Sequence, residues 1–201
     1  MKRHHGTAAF LAALLLLPFP YAGAEDYLGE WRRFSRREGN RLITWIETEA
    51  KKIMDGSQRP VDFPGPVPRF YGRVGIFVTL IAGGKVRGCF GAFHHRDYRF
   101  SSIMRRYLEG ALRSDPRYRP LGIEELDDCE FVVTIASAPA AIVSIDTLDL
   151  ERYGVLYRYS DGSSGVIVPA EVRTVDYLKR RAERKEVLSR SCFRAVTIRK
   201  K

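Results

Sequence analysis

A short segment flanked by glycines around Cys89 has the residue types that could do chemistry. Its order is Arg87-Gly88-Cys89-Phe90-Gly91, and a cysteine thiolate is the nucleophile of thiol-dependent enzymes. A guanidinium near a thiol favours the charged form, so Arg87, on the same face of a strand as Cys89, predicts a lowered pKa and a reactive thiol. Small neighbours also let a ligand approach the backbone closely. Packing is the alternative interpretation, because free cysteines are often buried.

Further polar residues follow in the chain. Cys89, one of His94 and His95, and Asp97 have side chains that ligate zinc. Such residues in a connecting segment are more often solvated turn residues, so we expect no metal and no other cofactor.

Asp115 and Arg117 flank a proline and form another charged pair. They can cap the preceding helix and pair locally, or they can line a cleft. The candidate ligand-binding residues are therefore Arg87, Gly88, Cys89, Phe90, Gly91, Asp115 and Arg117, with Cys89 as the candidate catalytic residue.

The other two cysteines, Cys129 and Cys192, each begin an expected strand. A disulfide between them requires Cα atoms about 4.4–6.8 Å apart, a separation that sequence does not determine. A bridge and two free thiols both remain open.

The elements that position these residues follow from hydrophobic periodicity. Apolar residues at spacings of three and four predict a helix over 38–54 and a second from Phe100 to before Pro116, capped by Ser101 or Ser102. Two β-branched and aromatic runs joined by Gly83-Gly84 predict a hairpin over 75–93.

The second half of the chain continues this mixture. The sequence predicts an acidic helical turn over 123–127, a buried strand over 131–136, a loop over 137–150, a hairpin around Asp161-Gly162, a helix over 172–187 and a strand over 193–198. Helices and strands do not alternate strictly, which indicates an α+β fold with a mixed or mostly antiparallel sheet and helices packed on it.

Residues 1–24 have the pattern of a secretory signal peptide. A basic start precedes an unbroken apolar run, Ala8–Leu17, and Ala22-Gly23-Ala24 matches the small residues at a cleavage site. The run is too short to span a bilayer, which takes about 20 residues. We therefore expect export to the periplasm or the exterior, with Glu25 as the mature amino terminus.

The basic charge lies mainly at the carboxyl end. The 201-residue chain has a net charge of +10, and residues 173–201 alone contain eleven basic and three acidic residues. Such a balance is typical of nucleic-acid-binding proteins, but an exported protein meets anionic lipids and envelope polymers instead. We expect weak electrostatic contact with such surfaces.

An ordered set of motifs resembles the AMMECR family. The matching segments are Phe77-Val78-Thr79-Leu80, Val86-Arg87-Gly88-Cys89-Phe90-Gly91, Asp115-Pro116-Arg117-Tyr118-Arg119-Pro120-Leu121 and Glu124-Glu125-Leu126. The resemblance covers about residues 41–198, so residues 25–201 are identified as a single AMMECR-like domain. It implies an α+β fold of two unequal lobes with the cysteine motif near the cleft between them, and it implies no known reaction.

The sequence departs from the family pattern in three places, one of which is a Lys-Ala-Gly that has no recognisable counterpart around Lys185. Tyr153-Gly154 stands where relatives carry His-Gly, and Ala170 stands within the segment where they carry Leu-Pro-Gln-Val. These departures favour an exported protein that binds a small molecule or a protein partner in the cleft beside Arg87 and Cys89. A thiol-dependent enzyme with Cys89 as nucleophile is the alternative.

Overall fold

The protein is described by a computed structural model that covers residues 26–57, 59–142, 144–172, 174–183 and 185–201. The expected signal peptide, residues 1–24, lies outside the described residues. The helices are α1 (Tyr27–Met54), α2 (Phe100–Arg113) and α3 (Val175–Ala182). The strands are β1 (Gly75–Ala82), β2 (Lys85–Ala92), β3 (Cys129–Ala136), β4 (Ala140–Ala141), β5 (Tyr153–Tyr159), β6 (Ser164–Ile167) and β7 (Val187–Ile198). The α+β prediction is confirmed.

One antiparallel sheet runs through the molecule. Its strand order is β2-β1-β3-β7-β5-β6, and the short β4 pairs with β7. Gly83 and Gly84 both have positive φ values, as the tight turn between β1 and β2 requires. The predicted first hairpin is therefore confirmed.

Strand β7 joins two unequal lobes. Its carboxyl-terminal part, Ala195–Ile198, pairs with β3, whereas residues 187–194 pair with β5. The large lobe contains α1, α2 and β1–β3, and the small lobe contains β5, β6 and α3. The predicted pair of unequal lobes thus shares one continuous strand.

The two faces of the large-lobe sheet pack against different elements. Ile76, Val78 and Leu80 of β1 face α1 and α2 and belong to the main core. Residues at the alternate positions face the small lobe, where Phe77, Phe93 and Phe193 pack with ring centroids 5.0 to 6.2 Å apart. A separate aromatic cluster therefore fills the space between the lobes.

Several predicted boundaries are wrong. Helix α1 begins eleven residues before Glu38, at Tyr27, because Leu28, Trp31 and Phe34 continue its buried face and Asp26 accepts a hydrogen bond from the amide of Gly29 (2.8 Å). The predicted caps of α2 are also wrong, since its N-cap residue is Arg99, with no side-chain cap.

The carboxyl-terminal elements differ more. The predicted helix over 172–187 is only Val175–Ala182, and the last strand begins at Val187 instead of Phe193. Residues 187–191 carry few apolar side chains, and they form a strand because their backbone pairs with β5. None of the helices in the described part of the chain is long and apolar enough to cross a membrane.

Candidate functional site

Gly88 and Phe90 lie on the face of β2 that packs against α2. A Cβ atom at Gly88 would lie 2.1 Å from the carbonyl oxygen of Ala111. The Phe90 ring covers Gly110 and lies 6.3 Å from the ring of Tyr107. The structure therefore gives these two predicted ligand-binding residues a role in helix packing.

Gly91 also lies where a side chain has no room. A Cβ atom there would be 2.2 Å from the carbonyl oxygen of Ile76 on β1. The glycine allows close contact between the two strands of the hairpin.

Arg87 anchors the segment that covers the edge of β2. Its guanidinium donates two hydrogen bonds to the carboxylate of Glu125 (3.0 and 3.1 Å) and others to the carbonyl oxygens of Arg119 (2.7 Å) and Pro120 (3.2 Å). Hydrogen bonding from Arg87 lowers the pKa of Glu125 to about 2. The expectation that Arg87 activates Cys89 is therefore not met, because this guanidinium is bound elsewhere.

Cys89 is half-buried on the opposite face of β2, toward the small lobe. Its Sγ accepts a hydrogen bond from the hydroxyl of Thr79 (3.3 Å). Burial, and after it the negative charge of Glu171, raise the pKa of the Cys89 thiol well above its ordinary value. The environment thus reverses the direction of the pKa shift that the sequence suggested.

Asp115 and Arg117 pair with each other, as the sequence suggested, and they lie beside Cys89. The carboxylate of Asp115 accepts hydrogen bonds from the backbone amide of Cys89 (2.8 Å) and from the guanidinium of Arg117 (2.7 to 3.2 Å). The first bond occupies an amide on an edge strand, which would otherwise have no partner in the sheet. Asp115 therefore ties the loop after α2 to β2.

Arg117 extends this contact to the small lobe. Its two terminal nitrogens donate to the carboxylate of Glu171 at 2.9 and 3.2 Å. The Glu171 side chain is fully buried, and Arg117 is 25% exposed. Asp115, Arg117 and Glu171 form a charge network that connects the lobes, here called the interlobe triad.

Asp115 and Arg117 hold each other in the ionised form. Burial opposes ionisation of Asp115, but hydrogen bonds from Arg117 and from the Cys89 amide lower its pKa below the usual range. Burial likewise opposes the charge of Arg117, and the two carboxylates outweigh it and raise the pKa of the guanidinium. Paired charges with such hydrogen bonds tolerate removal from water.

Glu171 was not among the predicted site residues. It lies in the 3-10 turn Pro169–Glu171, which the proline opens. The available signal was an acidic residue within the apolar run Val168-Pro169-Ala170-Glu171-Val172, since a carboxylate in such a run is buried only when it has a partner.

A cleft of about 1090 Å³ lies between the lobes, next to Glu171. The tip of the β1–β2 hairpin and Tyr118 line it from the large lobe, and residues 169–172 and Tyr177 line it from the small lobe. None of the seven predicted site residues lines the cleft. Arg117 and Cys89 adjoin it through Glu171.

The floor of the cleft contains an unused hydrogen-bonding group. The hydroxyl of Thr197, a lining residue, is buried and has no hydrogen-bond partner among the residues that the structure describes, and the same holds for Thr134, its cross-strand neighbour in β3. Buried hydroxyls normally have a partner.

The histidines are not part of this site. His95 is buried between the hydroxyl of Tyr107 and the carbonyl of Val74, both at 2.8 Å. Burial lowers the pKa of His95, and the neutral ring donates from Nε2 to the carbonyl and accepts at Nδ1 from the tyrosine. Within the described ranges, no group of three or more His, Cys, Asp and Glu side chains could hold a metal ion.

Cys129 and Cys192 are both free. Cys129 precedes Val133, which pairs with Ile198, whereas Cys192 precedes Ala195, which pairs with Ala136. The two cysteines therefore lie beyond opposite ends of the β3–β7 pairing, and the register rules out the bridge. Cys129 begins β3 as expected, but Cys192 lies in the middle of β7.

The basic carboxyl end is partly neutralised. Four of its side chains form ion pairs with acidic residues: Lys179 with Asp146 (2.6 Å), Lys185 with Asp161 (2.7 Å), Arg199 with Glu130 (3.4 Å) and Lys200 with Glu47 (2.9 Å). Exposed cations without an ion pair in the described part of the chain include Arg180, Arg190 and Arg194.

The positions that depart from the family pattern lie near the lobe junction. Tyr153 begins β5 opposite Arg194, and a Cβ atom at Gly154 would lie 2.2 Å from the Phe193 ring. Ala170 lines the cleft beside Glu171.

Comparison with known proteins gives both fold and family relatives. The structure resembles that of the uncharacterized protein PH0010 from Pyrococcus horikoshii, with a TM-score of 0.59 and 17% identity over 79% of this chain and 88% of that one. At that identity the likeness concerns the fold.

Sequence relatives come from bacteria and archaea. A Thermotoga maritima protein is 36% identical over 92 residues, which cover 45% of this chain and 53% of that protein. A Methanococcoides burtonii protein is 24% identical over 169 residues, 80% of this chain and 79% of the relative. The chain spans about half the length of the Thermotoga relative and 20% of a Clostridium acetobutylicum relative.

The sequence profile of a single family extends over most of the structure just described. It matches residues 45–200, from within α1 to beyond the end of β7. The match includes β2, the interlobe triad and the cleft. The chain therefore belongs to the AMMECR1 family, whose function is uncharacterised.

Proposed function

We propose that the protein binds a small molecule in the cleft between its lobes. The observation that carries the proposal is the cleft itself, whose small-lobe wall at residues 169–172 is held in position by the hydrogen bonds between Glu171 and Arg117. Small-molecule sites are concave, with volumes of about 300 to 1,000 Å³ and a few fixed polar groups. A cleft of about 1090 Å³ with apolar and hydroxyl-bearing walls has this character.

The interlobe triad fixes the shape of this site. Its hydrogen bonds join β2, the loop after α2 and the 3-10 turn of the small lobe. A preformed site loses less conformational entropy when it binds a ligand. The triad therefore supports a binding role that requires no reaction.

The environment of Cys89 supports binding over catalysis. Thiol-dependent enzymes lower the pKa of their nucleophile, whereas burial and Glu171 raise the pKa of Cys89. One feature favours the thiol-dependent alternative: the charge of Arg117 acts in the opposite direction and lowers the pKa.

Export of the protein remains part of the proposal, supported by the signal-like pattern of residues 1–24. Intact-mass measurement of the protein recovered from its native host tests it. A mature chain that begins at Glu25 is expected, and retention of residues 1–24 would contradict export through this signal.

A fragment screen tests the binding proposal. Amide chemical shifts of residues lining the cleft should respond to some members of a small-molecule library. Val86→Trp places a large side chain in the cleft and should abolish these responses. Val61→Trp, at an exposed position outside the cleft, is the matched control and should preserve them.

Two results would count against the proposal. One is a library that shifts no amides in the cleft. The other is binding that persists in the Val86→Trp protein, which would place the ligand elsewhere.

A further inference from the structure

The charged side chains of the cleft include both neutralised and free groups. Glu171 is bound by Arg117, and the guanidinium of Arg199 lies 3.4 Å from the carboxylate of Glu130. Because these four side chains form ion pairs with one another, they present little net charge to a ligand.

Two cations remain. Lys85, the first residue of β2, and Arg180 of α3 both line the cleft and are exposed. Neither forms an ion pair within the part of the chain that the structure describes. They come from different lobes, so both walls of the cleft present a positive charge that attracts anionic ligands.

The acidic side chains of the cleft do not cancel this preference. Glu151 is the lining carboxylate without an ion pair among the described residues, and it is exposed to solvent. The unpaired lining charges are therefore two positive and one negative.

The remaining lining residues suit the uncharged part of a ligand. The rings of Tyr118 and Tyr177 are half-buried, and Leu150, Pro169 and Val172 add apolar surface. Tyrosine offers both an apolar ring and a hydroxyl donor.

We propose that the ligand of the cleft is a small organic anion, a carboxylate or a phosphate monoester with an apolar ring. Its charged group is attracted by Lys85 and Arg180, and its ring lies against Tyr118 and Tyr177. This inference rests on the proposed binding function and specifies its ligand class.

Four aromatic probes of similar size test the ligand class. Benzoate and phenyl phosphate are anions, benzyl alcohol is neutral and benzylamine is a cation. Amide chemical-shift titrations at low salt should give dissociation constants for the anions at least about tenfold below that of benzyl alcohol. Phenyl phosphate carries the larger negative charge, so binding of benzoate as tight as that of phenyl phosphate would indicate a carboxylate ligand.

Matched double variants test the residues. Lys85→Ala with Arg180→Ala should weaken anion binding by about tenfold or more and leave benzyl alcohol unaffected. Arg36→Ala with Arg37→Ala removes the same charge from exposed positions on α1, outside the cleft, and should leave all probes unaffected. Far-UV circular dichroism should be unchanged in both variants, because all four side chains are exposed and form no ion pair with the described residues.

The possible results distinguish a wrong ligand class from a wrong binding function. Benzyl alcohol or benzylamine binding in the cleft as tightly as the anions would overturn the ligand class and leave the binding function intact. Anion binding that survives Lys85→Ala with Arg180→Ala would also overturn it. Failure of all four probes, together with no response to the fragment library, would overturn both proposals.

Discussion

Arg117 shows how one side chain can join distant parts of a protein. Its guanidinium contacts Asp115, two residues away, and Glu171, 54 residues away. The local pairing could be predicted, because the residues are neighbours in sequence. The contact with Glu171 could not, because it depends on how the small lobe folds back toward the large one.

Removal of the Glu171 carboxylate should destabilise the protein. Glu171→Ala leaves Arg117 with one carboxylate fewer in a buried site, and breaking a buried ion pair costs about 3–5 kcal/mol. We expect a loss of that order in the free energy of unfolding, measured with urea. Glu183→Ala, at an exposed position on the same lobe, is the control and should change it little. Equal losses in the two variants would show that the triad does not stabilise the lobe junction.

The raised pKa of Cys89 should make its thiol slow to react. At neutral pH the protonated form predominates, so alkylation of Cys89 by iodoacetamide should be slower than in the unfolded chain and should accelerate at alkaline pH. Glu171→Gln removes a charge that raises this pKa and should increase the rate. Mapped peptides quantify the labelling. Rapid labelling of Cys89 in the folded protein at pH 7 would instead favour the thiol-dependent alternative.

Local sequence patterns correctly predicted the elements that are stabilised by interactions between neighbouring residues in the chain. The β1–β2 hairpin follows from two apolar runs and a Gly-Gly turn. Helix α3 ends early and β7 begins early, because pairing with β5 orders residues 187–191 despite their few apolar side chains. Hydrophobic periodicity does not reveal non-local strand pairing of this kind.

Gly88 provides a test of the packing between α2 and β2. Gly88→Ala would place a methyl group 2.1 Å from a backbone carbonyl, so the helix and the strand must separate. Overpacking of this kind costs about 1–3 kcal/mol or more, and the thermal midpoint should fall. Gly65→Ala is the matched control, since its new methyl group would make ordinary contacts at 3.5 and 3.6 Å. A Gly88→Ala protein as stable as this control would contradict the packing role.

The charge of the whole molecule is distributed unevenly. Four basic residues at the carboxyl end are ion-paired, but Arg190 and Arg194 on β7 are exposed and form no ion pair with the residues described. The sequence indicated the basic end, whereas the distribution of ion pairs required the structure, because the acidic partners come from distant segments.

We expect weak binding to polyanions through the small lobe. Exposed charges are screened beyond about 10 Å in 0.1 M salt, so retention on heparin should disappear well below 1 M salt. Arg190→Ala with Arg194→Ala should elute earlier than Arg36→Ala with Arg37→Ala, although both variants lose the same charge. Identical elution would show that net charge alone, and not the small lobe, determines retention.

The continuity of β7 has a consequence for modularity. Residues 187–194 supply a strand to the small lobe, and the residues that follow them directly supply one to the large lobe. Excision of the small lobe would therefore cut β7 after Arg194 and leave only Ala195–Ile198 to pair with β3. The two lobes should unfold as one cooperative unit, and the small lobe should be inherited with the large one, never exchanged between proteins as an independent module.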